Sequence, residues 1–503
     1  MSNSRSKNAV LNIAFGYLAQ VGILVLSFIG RRIFLNFLSV DYLGINGLYS
    51  NILTVLSLAE LGLDTAVVYS LYKPVAEENI PLINSLLRYF KRIYTILAFA
   101  IFALGLALIP FLRYIVKSDL PQNDLVIYYL LFLTNTVASY FVAHKVALLS
   151  AYQEQRIQKL VLLSSNLVLQ ILHIIVLVIW KNYYVYVGAT VITTFVNNVI
   201  LSLICNKIHP HLKDKTKAVE IEKAPIRKRI LSTFIYKIGG VAVNNTDNIL
   251  ISMLVSTAAV GFYSNYCTLI TAVQGFIAII STSLISGIGN LGATGDRQRQ
   301  YGIFNAALLF YHFVAALGLV GFSTMFNDVI TVWLGAKYML SNDTVFVIAL
   351  NFYLTNAVTP IWMYREANGL FDQVRYLMII RATVNIVLSV LLGKIYGTFG
   401  ILLATAISLC VTSAWYEPSI LFKNVFKKPV SDYWLKQLKY VLATAAAMAV
   451  CQTVAKGLSL SVGSFVIKVL VAVVSVSAMF SITLIKSNEL KTLISFLKHR
   501  RSK

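Results

Sequence analysis

Residues 38–49 read LSVDYLGINGLY, a short polar and glycine-bearing patch between two long apolar runs. Residues 255–266 read VSTAAVGFYSNY in the same setting. An offset of 217 places Ser256 on Ser39, Val260 on Leu43, Gly261 on Gly44, Phe262 on Ile45 and Tyr266 on Tyr49. The echo continues along the chain. LTN at 133–135 recurs at 354–356, Glu154 of AYQEQR answers to Asp372 of GLFDQVR, and Ala189-Thr190 answers to Ala404-Thr405, all in the same order at offsets of 215 to 221. An ordered series of this kind predicts an internal duplication. The two patches then read as matching turns over 38–49 and 255–266, where glycine permits a tight reversal of the chain.

Composition says what was duplicated. Of 503 residues, 58% are hydrophobic and 13% charged, and the mean hydropathy is +0.75. A water-soluble protein of this length would need far more polar surface, so the chain is an all-α polytopic membrane protein. A spanning helix takes about 20 apolar residues. That rule finds about fourteen spans, near 9–36, 44–71, 93–116, 124–149, 157–180, 184–206, 233–256, 260–290, 300–326, 344–370, 376–396, 399–421, 435–456 and 462–485.

The net charge of +23, from 43 Lys and Arg against 20 Asp and Glu, would suggest nucleic acid in a soluble protein. Here the basic residues cluster in alternate connections, which orients a membrane protein and requires no nucleic-acid partner. One side receives Arg5, Lys7, Lys73, Arg88, Lys91, Arg92, the 207–231 loop, the stretch Lys423 to Lys439 and the tail. The other receives only Arg113, Lys117, Lys181, Lys337, Lys394 and Lys456. This asymmetry predicts fourteen spans with both termini cytoplasmic. The four cysteines lie in or at the ends of apolar spans, without disulfide or metal-ligand spacing.

The expected organisation is an N-lobe of six spans over 1–206 and a basic cytoplasmic linker over 207–232. A C-lobe of six spans follows over 233–425, then spans thirteen and fourteen with a basic cytoplasmic tail over 426–503. An even number of spans per copy makes the repeat parallel, with a pseudo-two-fold axis along the membrane normal. Two such six-helix bundles suit a transporter that opens a cavity alternately to either side.

YLGINGLYSNILTVLSLAELGL (42–63), NNTDNILISMLVSTAAVGFYSNY (244–266) and YGTFGILLATAIS (396–408) resemble the polysaccharide repeat-unit flippases of the Wzx type. These belong to the multidrug/oligosaccharidyl-lipid/polysaccharide exporter superfamily. The resemblance implies a V-shaped fold with a cationic central cavity, in the bacterial cytoplasmic membrane. It also implies export of undecaprenyl-pyrophosphate-linked oligosaccharide for capsule, exopolysaccharide or O-antigen synthesis. Expected partners are that lipid-linked substrate, membrane lipids, and a polysaccharide polymerase and chain-length regulator; a monomer is expected, with no cofactor.

Ionisable residues inside spans are the natural site candidates, because a mid-membrane charge costs about 2.5–3.5 kcal/mol or more. Arg31, Arg365, Lys145, Arg381 and Lys237 are candidates for a phosphate head group, to which Arg is well shaped. With LTN as anchor, Lys145 maps to Glu366, beside Arg365. The same cations could instead be structural. Arg31 or Arg32 would then be neutralised by Glu60 or Asp64, and Arg365 would snorkel to the interface. Glu60 and Asp64, at i and i+4 on one helix face, could hold Na⁺ or exchange H⁺, or simply pair with span one. Asp247, in the polar run NNTDN after Gly239-Gly240, marks a stretch facing a wet cavity.

Rival functions fit less well. A membrane-embedded glycosyltransferase or polymerase needs a large loop or paired acids to hold a sugar donor. The outer connections are short, with only Asp119, Asp124, Asp328 and Asp343, and no enzyme activity is expected. A cation-coupled drug exporter would favour an acidic cavity. A lipid II flippase shares the anionic head group and remains an alternative.

Overall fold

The computed structural model describes residues 21–57, 63–213, 245–294, 297–370, 373–458 and 461–484, with short stretches between 219 and 234. Among these residues there is no β-strand, and ten helices are long and apolar enough to cross a membrane. We number the helices α1 (21–37), α2 (Val40–Leu56), α3 (Leu63–Ala76), α4 (Ile80–Leu108), α5 (Gln122–Ala151), α6 (Gln155–Ile179) and α7 (Tyr183–Ile208). The others are α8 (245–254), α9 (Thr257–Thr294), α10 (Arg297–Trp333), α11 (Asn342–Ala367), α12 (Arg375–Val411), α13 (Ser413–Leu421), α14 (Ser431–Ala455) and α15 (Val462–Leu484).

The ten spanning helices account for eleven of the fourteen expected spans. Spans eleven and twelve run together over Tyr376–Phe426, and the break between them is Gly397, at φ 60° and ψ −137°. That left-handed φ is one glycine adopts without steric cost. The first, second and seventh spans are described in part, as α1, α2 with α3, and α8.

The opening patch is not the long turn its sequence suggested. The reversal is only Leu38 and Ser39, and α2 begins at Val40 with Ser39 as its N-cap. Its echo behaves identically: α8 ends at 254, Val255 and Ser256 turn, and α9 begins at Thr257. Gly44 and Gly261 therefore lie inside helices. Each is there because backbone approaches backbone. A Cβ on Gly44 would overlap the carbonyl of Thr257, and one on Gly261 would overlap the carbonyl of Val40. Thr257 and Val40 are themselves 217 apart. The two contacts are therefore reciprocal, each glycine meeting the residue that the 217 offset pairs with the other's neighbour.

The chain divides into two compact units, Met1–Gly261 and Phe262–Lys503. The division comes later than the 207–232 linker because α8 and the start of α9 are bonded into the first unit. Ser252 Oγ donates to the Ile115 carbonyl at 2.8 Å, and the Thr257 amide donates to the Lys117 carbonyl at 2.9 Å. Within this unit α5 is central, packing against α2, α3, α4 and α7. Buried tyrosines tie it down. Tyr49 donates to the Leu125 carbonyl at 2.9 Å and Tyr129 to the Gly105 carbonyl at 3.1 Å.

In the second unit, α14 and α15, the two spans outside the repeat, pack on α10. Their effect shows in burial: 78% of the spanning segment of α10 is buried, against 22% of that of α4, its counterpart in the first copy. Three kinds of contact hold this hairpin in place. His312 Nε2 lies 2.7 Å from Gln437 Oε1, Tyr440 stacks on Phe480 with centroids 5.6 Å apart, and Lys468 Nζ donates to Asp328 Oδ2 at 2.6 Å. Asp328 thus belongs to α10 rather than to a connection. Its carboxylate answers Lys468 within a segment where neither charge would be tolerated alone.

Candidate functional site: cations on equivalent helices

Lys145 lies on α5 and Arg365 on α11, the fourth span of each copy. Lys145 is half-buried, and its ammonium donates to Ser202 Oγ at 2.5 Å and Asn206 Oδ1 at 3.0 Å, both on α7. Arg365 is buried and donates from Nη1 to Glu417 Oε2 at 2.6 Å, on α13. The Ala-Thr offset of 215 carries Ser202 onto Glu417. Both copies therefore fasten a cation of the fourth span to the same level of the sixth. They differ in the partner. In the second unit the partner is a carboxylate 2% exposed, whereas in the first it is a hydroxyl and an amide, which leave the charge of Lys145 in place.

Arg31 is half-buried on α1, close enough to Tyr186 for its charge to act on the phenol. Arg381 is buried on α12, with its guanidinium 5.9 Å from the centre of the Trp362 ring, at the range of a cation–π contact. Asp64 is exposed at the start of α3 and accepts from Tyr94 O–H at 2.6 Å. Asp247 is half-buried on α8. Lys237 and Glu60 lie outside the described residues, so the spacing of Glu60 and Asp64 has no structural counterpart here.

Sequence reasoning did not join Arg365 to Glu417. Ser202 and Asn206 carried no signal at all, being neutral residues of common types. A further pair, His209 Nε2 and Glu154 Oε2 at 2.9 Å, joins the ends of α6 and α7; the matched AYQEQR and GLFDQVR endings were the one cue to that level of the chain.

Solved structures share this fold. A lipid II flippase, MurJ, in an inward closed conformation gives a TM-score of 0.70 at 17% identity, covering 93% of this chain and 98% of that one. An inward-facing multidrug resistance MATE family transporter of the MOP superfamily gives 0.60 at 13% identity, covering 78% and 96%. A Vibrio cholerae MATE transporter gives 0.55 at 13% identity, covering 85% and 100%. The fold is that of the multidrug/oligosaccharidyl-lipid/polysaccharide exporters, and the chain is a multi-pass membrane protein. It belongs to the polysaccharide biosynthesis protein family, whose pattern matches residues 10–285, more than half of its length. No curated protein is close enough in sequence to count as a match.

Proposed function

We propose that this protein moves oligosaccharide repeat units, carried on undecaprenyl pyrophosphate, from the inner to the outer leaflet of the bacterial cytoplasmic membrane by alternating access. Capsule, exopolysaccharide and O-antigen synthesis are the pathways that use such a step. The observation that carries this reading is Lys145, a cation within a span whose acceptors, Ser202 and Asn206, are both neutral. A pyrophosphate crossing hydrocarbon loses its hydration, and fixed positive charge in a wet cavity replaces it. Lys145 and Arg31 are the head-group candidates of the first unit, and Arg381 is that of the second. Arg365 is a second candidate of that unit, with part of its charge already answered by Glu417, and Lys237 stays a candidate by sequence. Membrane lipids surround the protein, a polymerase and a chain-length regulator use its product, and both termini are cytoplasmic.

Lys145→Gln and Arg31→Ala are each expected to lower surface polysaccharide at least tenfold while the protein reaches the membrane in normal amount. Polysaccharide staining beside a membrane blot measures both quantities. Wild-type display in both variants would sink the cationic head-group site.

Transport against a gradient needs an energy source, and Asp64, Asp247 and Glu60 are the carboxylates available for Na⁺ or H⁺ coupling. Flux of lipid-linked oligosaccharide into vesicles is expected to slow when the Na⁺ or the proton gradient is collapsed. Flux that ignores both gradients removes the coupling role from all three.

A further inference from the structure

In the first unit, α2, α5, α6 and α7 line a partly open pocket of about 130 Å³. Its polar lining is Asn46, Asn135, His173 and Thr190, and Phe132 and Tyr186 add aromatic walls. No lysine, arginine or carboxylate is among its lining residues. The space exceeds by far the ~10–15 Å³ that one water needs.

This lining is built rather than left over. The His173 ring stacks on Tyr186 at 21° with centroids 3.8 Å apart, and its Nε2 lies 3.0 Å from Thr190 Oγ1. The imidazole is thus held from two sides. Asn135 Oδ1 is buried with no hydrogen-bond partner among the described residues, a costly state that an occupant of the cavity would relieve. In the other copy, Thr405 stands for Thr190 by the 215 offset. There Asn385 Nδ2 donates to Thr405 at 3.0 Å and is wholly buried.

We propose that this cavity seats the sugar ring nearest the pyrophosphate, an inference that rests on the transport function above. Amides, an imidazole and a hydroxyl each give and take hydrogen bonds, as sugar hydroxyls do. Aromatic faces cover the C–H side of a pyranose. A charged ligand is disfavoured, because the lining offers it no counter-charge.

The test is binding by the full-length protein in nanodiscs, with two probes: bare undecaprenyl pyrophosphate, and the lipid-linked oligosaccharide extracted from the producing cells. Wild type is expected to bind the glycosylated probe at least tenfold more tightly. Asn135→Leu and His173→Leu should lose that advantage while keeping wild-type affinity for the bare probe. His173→Gln, which retains a hydrogen-bonding head, should keep most of it. Should a leucine variant misfold, the near-isosteric Thr190→Val is read by the same criterion. An undiminished advantage in these variants, or none in wild type, overturns the sugar subsite. Failure of wild type to bind either probe overturns the transport reading instead.

Discussion

Glu417→Ala is expected to destabilise the second unit by about 3–5 kcal/mol, the usual cost of stranding one member of a buried ion pair. Glu417 is 2% exposed and Arg365 8%, and they meet at 2.6 Å. Without the carboxylate, the guanidinium keeps its charge at a largely buried position without that counter-charge. Thermal unfolding of the purified protein should show a drop on the order of 10 °C, at about 2–4 °C per kcal/mol for a unit of this size. Replacing both partners, as Arg365→Met with Glu417→Leu, removes the charge and its answer together, and should return stability close to wild type. That double variant also separates two roles. If it is stable but transports poorly, Arg365 touches the head group; if it transports normally, the pair is structural. A Glu417→Ala protein within 1 °C of wild type would show that the pair does not hold α11 to α13.

Gly44→Val and Gly261→Val are expected to cost about 3 kcal/mol each, at the upper end for overpacking. Most core overpacking is eased by a rotamer change in a neighbour. Here the first atoms a new side chain meets are the carbonyls of Thr257 and Val40, and backbone cannot step aside without moving α2 or α9. Because the two positions lie at one helix crossing, the double variant should lose less than the sum of the singles. Gly188, which has nothing within 4 Å of an added Cβ, is the control. Gly188→Ala should be neutral or slightly stabilising through helix propensity. Unfolding midpoints for the four proteins check the set. Equal midpoints for Gly44→Val and Gly188→Ala would sink the claim of a close crossing.

The glycine patch also shows how far the sequence could be read. Its recurrence at 255–266 correctly announced a duplication, since repeats survive as spacing whatever the local structure. Its local structure was misjudged, because glycine serves a tight turn and a close helix crossing equally well. Only the approach of Thr257 to Gly44 tells them apart. The depth of Arg365 and Lys145 was legible too, as a charge within an apolar run stands out by hydropathy alone. Their partners were not. Lys145 and Ser202 are 57 residues apart, and Arg365 and Glu417 are 52 apart. Which side chains meet over such distances depends on how each helix is rotated about its axis, and long apolar helices encode that rotation weakly.

The 78% burial of α10 beside the 22% of α4 is the same limit in another form: of two apolar spans the more apolar is the less buried, because α14 and α15 cover the other. By itself, then, the sequence determined the helical class, the spans, the repeat and the level at which charges enter the apolar runs. Those properties rest on composition and period, which one chain carries along its own length. Tertiary structure alone decided that Arg365 has a counter-charge, that the acceptors of Lys145 among the described residues are neutral, and that Asn46, Asn135, His173 and Thr190 line one pocket. Each of these depends on distances between helices, which arise only when apolar faces pack and exclude every other rotation.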